Sequence, residues 1–416
     1  MSINWILFEY KLVWTQKPSL IQKMKSLARQ NIFQNFLTLN TLTKLRAQNL
    51  MSTLDNPAVE THFNEMRCIE NLFIQFIESE ENLEEADFEI KQYNYFANLP
   101  PEDKKLKLKE ILYLISQIGD NHHQTTNFYA KIERLINLFT TEIKQSMSND
   151  EIFDYFRENC RIILFLFTTE IITMDRYIAN WLIQSPFKRF FSREILTFVK
   201  GSQVTADELI EEEEANSSLK RQIGMNDSYI CQLIRDDSVE EFIKYVMQAN
   251  MNLSSLIPFS KYESSPFLID DKYREMPQID LMKPYQSKAS LIEYTAFYGS
   301  LKIFKYLRIK DVNFSPSIWL YAIHSNNPDI IHILEEDEIN PPDGNYEKCF
   351  IEALKCHHIK VANYLLNEYI TMDSKIAQQV VKYHNYEIFN EKFIDHFFDF
   401  AQFDYPLTVK ILLNDR

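Results

Sequence analysis

Ser290-Leu291-Ile292-Glu293-Tyr294-Thr295, Ser317-Ile318-Trp319-Leu320-Tyr321-Ala322 and Lys348-Cys349-Phe350-Ile351-Glu352-Ala353 write one pattern three times. A second apolar turn follows each: Ile303-Phe304 to Leu307, Ile330-Ile331 to Leu334, and Val361-Ala362 to Leu365. Thr295 to Ala322 and Leu307 to Leu334 both span 27 positions; Ala322 to Ala353 and Leu334 to Leu365 both span 31. Equal steps in both turns describe two helices of fixed internal length, joined by outer loops of variable length. Such a unit cannot bury its apolar face alone, so it stacks on copies of itself. The expected repeat core is Ile292, Ile303, Phe304, Leu307, Trp319, Ala322, Ile330, Ile331, Leu334, Phe350, Ala353, Val361 and Leu365.

Weaker copies flank these three. Ser228 to Met247 places Ile230 and Leu233 in the first-helix slots. Ser238-Val239-Glu240-Glu241 predicts a cap for the second helix, with Phe242 and Tyr245 inward. Lys375 to Phe393 and Phe393 to Leu413 read as two further helix pairs with poorer slots, as expected of a terminal cap. Residues 254–289 carry Pro258, Pro266, Pro277 and Pro284 without clean periodicity. They read as an insertion loop on one face, where such arrays place function.

Upstream, Ile69, Leu72, Phe73, Phe76 and Ile77 make one helix stripe. Pro100-Pro101 breaks the chain, and Glu102-Asp103 opens the next helix with charges that suit its positive end. Leu106, Leu108, Ile111, Leu112 and Ile115 continue its apolar face, and Phe128, Ile132, Leu135, Ile136 and Phe139 form another. Ser148-Asn149-Asp150-Glu151 is a capping-box pattern. Asn149 to Asp175 has the length of one more helix pair. The acidic stretch Gly201 to Gly224, with Glu211 to Glu214, marks a boundary. The chain therefore divides into an N-terminal extension and helices (1–64), a helical domain (65–200), an acidic linker (201–227) and repeats (228–416).

Composition narrows the function. Only 5 of 416 residues are glycine, well under the usual share of about 7%. Tight-turned β-folds need glycine for positive-φ positions, and helical hairpins need it least. The net charge of −15 opposes nucleic-acid binding, which requires clustered Lys and Arg to neutralise phosphate. Five cysteines with no C-x-x-C spacing read as reduced thiols of a cytoplasmic protein. No apolar run approaches the roughly 18 residues of a membrane span. Residues 1–23 open with the apolar Trp5-Ile6-Leu7-Phe8, interrupted by Glu9 and Lys11. They read as a docked terminal segment, or as an extension upstream of a start at Met24 or Met51.

The three central copies resemble the ankyrin family, whose period is about 33 residues with a T-P-L-H-x-A signature. Ser290, Ser317 and Lys348 stand at the Thr slot; Leu291, Ile318 and Cys349 replace the Pro. Ile292, Trp319 and Phe350 fill the Leu slot, and Glu293, Leu320 and Ile351 replace the His. Thr295, Ala322 and Ala353 fill the small slot, and Gly299 keeps the glycine between helices. The wider chain, from about residue 65 on, is similar to an expanded set of protist (trichomonad-type) ankyrin proteins with a helical domain of unknown function before the repeats. The likeness is carried by Leu112 to Ser116, His122-His123, Ile223-Gly224, Ile230-Cys231, Lys244 to Val246, and Trp319 to His324. It implies an all-α fold, with a helical N-terminal region followed by an ankyrin-like α-solenoid of degenerate repeats. It also implies a scaffold that binds proteins through its concave face.

The remaining residues leave little room for chemistry. Gly119, Gly201, Gly224, Gly299 and Gly344 are isolated, so no phosphate-cradling loop forms. Glu85, Asp87, Glu89 and Glu211 to Glu214 are charged runs in water, which lack the burial that shifts a catalytic carboxylate. Cys349, Cys356, His357 and His358 are zinc-type donors at an unusual spacing, and ordinary helix and loop roles are the commoner reading. His122-His123 reads as a polar turn. Tyr294, Tyr298, Tyr321 and His324 point away from the repeat core, toward the expected binding face. With Glu352 and Lys355 they are the expected partner contacts. The expected function is a non-catalytic protein-interaction scaffold without a cofactor. A self-associating scaffold, or an enzyme in the N-terminal helices, is the alternative.

Overall fold

The stripe Ile69, Leu72, Phe73, Phe76 and Ile77 lies on helix α1 (Pro57–Glu78), with all but Leu72 fully buried. This computed structural model describes residues 57–79, 90–97, 99–122, 127–199, 216–269, 289–389 and 397–414. The expectations for residues 1–56, Glu85 to Glu89, His123, Glu211 to Glu214 and loop residues 270–288 fall outside them. The described residues are helical throughout their regular structure, apart from one isolated antiparallel bridge, Leu256 to Ser290. The fold is all-α.

Helix α2 (Pro101–Asn121) starts at the predicted Pro-Pro break, with Pro at its first position and Leu108, Ile111, Leu112 and Ile115 buried. Then follow α3 (Phe128–Asn137), α4 (Thr140–Ser146), α5 (Asn149–Phe156), α6 (Cys160–Thr168), α7 (Arg176–Gln184) and α8 (Ser192–Val199). The capping box at Ser148 and Glu151 is formed in full. The end of the expected linker is α9 (Ser217–Ile223), which packs on α6.

The repeats are helix pairs: α10 (Tyr229–Arg235) with α11 (Val239–Gln248), α12 (Leu291–Tyr298) with α13 (Leu301–Ile309), and α14 (Ile318–Ser325) with α15 (Pro328–Glu336). Next come α16 (Glu347–Lys355) with α17 (Ile359–Glu368), then α18 (Ser374–Lys382), α19 (Phe397–Gln402) and α20 (Pro406–Asn414). First helices α10, α12, α14, α16 and α18 pack in consecutive order, and second helices α11, α13 and α15 do the same. Every expected core residue is buried except Val361, which is half-buried. Ser238 precedes α11, yet its side chain makes no cap bond. The incoming Asp237 carboxylate instead caps the neighbouring helix, accepting from the backbone of Lys302 (3.1 Å) and Ile303 (3.0 Å).

The first helices end alike. Asp237, Gly299, Asn326, His357 and His384 all have positive φ. The next residue's N–H then reaches back five positions in four of the five: Ser238 to Leu233, Ser300 to Thr295, His358 to Ala353, Asn385 to Val380. This is the left-handed helix stop that glycine serves best and Asn tolerates. The second helices stop the same way at Asn250, Asp311 and Glu338. The chain thus makes these turns almost without glycine, at the cost of strained left-handed side chains.

The side chain after each first-helix turn joins its repeat to the one before. Ser300 Oγ donates to the Ile234 carbonyl (2.6 Å), Asn327 Nδ2 to Gly299 (3.2 Å), His358 Nδ1 to Ile323 (2.9 Å) and Asn385 Nδ2 to Leu354 (2.7 Å). Each adds a bond from the next repeat to a carbonyl at a helix C-terminus; those of Ile234, Ile323 and Leu354 also accept a backbone N–H from their own turn. Asn159 repeats the device upstream, donating to the Gly119 carbonyl of α2 (3.1 Å) while capping α6. In keeping with this, α5 packs on α2, and α6 on α3. The pairing expected for Asn149 to Asp175 is present there.

The N-terminal helices and the repeats are parts of one compact unit, residues 58–416. Glu110 of α2 accepts from the backbone of Leu407 (2.9 Å) and Thr408 (3.1 Å), capping α20. Its other oxygen accepts from His62 Nε2 of α1 (2.6 Å). Glu70 of α1 accepts from His357 Nδ1 (2.7 Å) and the Glu387 backbone (3.1 Å). The expected boundary between a 65–200 domain and the repeats is therefore crossed by buried polar bonds.

Two substitutions test this packing. Trp319 is fully buried and donates from Nε1 to the Ile339 carbonyl (2.6 Å), so Trp319→Ala should cost about 3–5 kcal/mol in urea unfolding. Asn385→Ala should cost about 0.5–1.5 kcal/mol by removing a buried bond between repeats, whereas alanine at exposed Lys375 should change stability by under about 0.5 kcal/mol.

Candidate functional site: the covered first-helix face

The expected partner contacts form one continuous strip, and the chain itself covers most of it. Arg235 Nη1 donates to the Tyr294 hydroxyl (3.0 Å), and the Tyr294 and Tyr298 rings lie 4.7 Å apart. Phe297 links Tyr298 to His324, at 5.0 Å from each. His324 Nε2 donates to Glu352 (2.8 Å), and Lys355 Nζ donates to the other Glu352 oxygen (2.9 Å). Tyr294, Tyr321, His324 and Glu352 are buried, at 0%, 2%, 1% and 5% exposure; Tyr298 and Lys355 are half-buried. The sequence reading had these six facing solvent.

The covering comes from the described start of the expected insertion loop and from the N-terminal helices. Phe267 lies 4.0 Å from the His324 ring, 4.9 Å from Tyr321 and 5.7 Å from Phe297, centroid to centroid. Glu263 is held by the backbone N–H groups of Asn226 (3.2 Å) and Ser265 (3.0 Å). Ser264 accepts from the Tyr129 hydroxyl of α3 (2.5 Å) and donates to the Gly224 carbonyl. A side chain at Gly224 would collide with this seat, since a Cβ there meets Ser264 and Arg161 at 3.0 Å. Residues 254–269 are thus a packed strap rather than a free recognition loop. Beyond the strap, His122 at the end of α2 donates from Nδ1 to the Cys356 carbonyl (2.7 Å), and the Tyr113 ring lies tilted, 4.2 Å from that of His384.

The zinc-type donors Cys349, Cys356, His357 and His358 are dispersed, in keeping with the ordinary roles expected of them. Cys349 is buried separately, His357 pairs with Glu70, and His358 belongs to the inter-repeat bonds. Cys356 instead meets His324, with Sγ 3.4 Å from Nδ1. Sulfur, imidazole and the Glu352 carboxylate follow in line, an order that also describes a nucleophile, its base and the group that orients the base. Two features oppose attack by this thiol. Burial, with the Glu352 charge adding, pushes the Cys356 thiol well above its usual range. It also stands at the C-terminus of α16, where the helix dipole disfavours a thiolate. Glu352 behaves differently. Burial alone would raise its carboxyl, but the His324 hydrogen bond and the Lys355 charge outweigh this and bring it down to about 2.

His384 sits between Tyr113 and Tyr405 and donates from Nε2 to the Phe403 carbonyl (2.7 Å). Burial pulls its imidazole down to about 3, against the hydrogen bond to Phe403. A histidine depressed in the folded state takes up a proton on unfolding. Its contribution is therefore full above the unfolded value near 6.5 and is lost as pH falls toward about 3. Between pH 6 and 4 the protein should lose up to about 1.4 kcal/mol more per pH unit than a His384→Gln variant. Urea titrations of both proteins at each pH check this.

A family profile described as "Domain of unknown function (DUF3447)" matches residues 310–392. The matched segment of this chain includes the turns at Asn326, His357 and His384. No curated protein and no solved structure matches the chain.

Proposed function

We propose that this chain is a non-catalytic, ankyrin-like interaction scaffold that binds a protein partner through its second-helix edge. The first-helix face is committed to the strap and the N-terminal helices. The second helices leave large apolar groups in water. Met247 at the end of α11 is 73% exposed and Ile309 at the end of α13 is 77% exposed, on helices that pack side by side. Tyr364 on α17 and Tyr369 just beyond it are also exposed. That pair of neighbouring apolar ends is the observation that carries the reading, because solvated apolar side chains grouped on one edge mark contact surfaces. The net charge of −15 favours a partner with a basic rim around an apolar centre.

A self-associating scaffold uses the same edge with a second copy as partner. Light scattering across a concentration series separates the two. A Met247→Asp and Ile309→Asp double variant should keep its helical circular dichroism and lose a specific co-purifying protein from the native cell. An unchanged set of co-purifying proteins would reject the second-helix edge. Concentration-dependent dimers that the double variant abolishes would favour self-association.

A further inference from the structure

We propose that Cys356 and His324 are the ligands of a thiophilic d10 cation of the zinc class, with Glu352 as the carboxylate that sets His324 for binding. The donors come from neighbouring repeats: His324 lies on α14, Glu352 on α16, and Cys356 one turn further on, at its C-cap. Their donor atoms lie within 4.8 Å of one another, and all three residues are buried. The Sγ to Nδ1 separation is 3.4 Å. Zinc bonds of about 2.3 Å to sulfur and about 2.0 Å to nitrogen, at a tetrahedral angle, require a separation of roughly 3.5 Å. The separation of thiol and imidazole therefore already suits both bonds to one ion.

The surroundings support a cation at that point. Glu352 accepts from Nε2, which leaves the Nδ1 lone pair facing sulfur. An outer carboxylate of this kind fixes the tautomer and raises the basicity of a metal-binding imidazole. Lys355, half-buried, holds the second Glu352 oxygen and keeps the carboxylate from swinging away. The C-terminus of α16 contributes partial negative charge, which penalises a bare thiolate and favours a cation beside it. Phe267 and Phe297 close the apolar side. The balance is simple: the thiol gives up one proton as sulfur binds the ion, so affinity rises with pH. This site does not depend on the second-helix edge being a binding surface.

Cobalt(II) is the probe, in full-length protein carrying Cys68→Ser to remove the exposed thiol. After chelator treatment, one equivalent of cobalt should give a near-ultraviolet sulfur-to-cobalt charge-transfer band that zinc abolishes. Cys356→Ser should lose the band, and Cys349→Ser should keep it. Glu352→Gln should weaken cobalt binding about 10–100-fold. A folded Cys68→Ser protein with no band overturns the proposal, as does a band that survives Cys356→Ser. If Cys356→Ser does not fold, alkylation of Cys356 in sub-denaturing urea decides. One equivalent of zinc should slow it at least about tenfold, and an unchanged rate overturns the site.

Discussion

Each first helix of the repeat half ends in buried carbonyls, and the satisfaction of those carbonyls organises the stack. A helix C-terminus leaves its last carbonyls without partners inside the helix; here the turn's own N–H groups take one lone pair of the Ile234, Ile323 and Leu354 oxygens and leave the second open to the next repeat. Here the left-handed turn presents Ser300, Asn327, His358 or Asn385 to the preceding repeat, and each donates to a carbonyl at the end of that repeat's first helix. Apolar contacts such as those of Phe304, Trp319 and Phe350 supply the bulk of the stabilisation. They are non-directional and tolerate sliding. The side-chain-to-carbonyl bonds permit one register and so fix which repeat lies on which.

The same logic explains why the first-helix face is covered. Once the stack is set, that face carries Tyr294, Phe297, Tyr321 and His324 side by side. Too large and apolar to leave in water, it is met by Phe267 of the strap. Polar groups at the seam are then buried, and pair across it: Glu70 with His357, and Glu110, itself held by His62, with the start of α20. Pairs of this kind contribute little net stability against an apolar replacement, but breaking one is costly. They hold the N-terminal helices at one position on the repeats.

Much of this was legible in the residues. Steps of 27 and 31 positions located the helix pairs, and the slots filled by Ile292, Trp319 and Phe350 are core. Capping residues located α2 and α5. The direction of the first-helix face was misjudged because a repeat motif describes contacts within a stack, whereas Phe267 and α2 are distant in sequence. A signal was nevertheless present. Leu291 to Phe297 are buried all round the helix, and apolar residues on every side of a helix mark one that is enclosed. The left-handed turns were hidden for a different reason. Glycine announces such a position, and Asp237, Asn326, His357 and His384 do not. The meeting of Cys356 with His324 was out of reach, since it depends on how far α16 is rotated against α14.

The central claim is that the chain covers its own first-helix face. Hydroxyl-radical footprinting of the intact protein, read by mass spectrometry at single tyrosines, tests it most directly. Tyr294 and Tyr321 should stay unmodified until the whole protein unfolds, while Tyr229, 53% exposed, reacts from the start. Modification of Tyr294 and Tyr321 in the folded protein at a rate like that of Tyr229 would contradict the account.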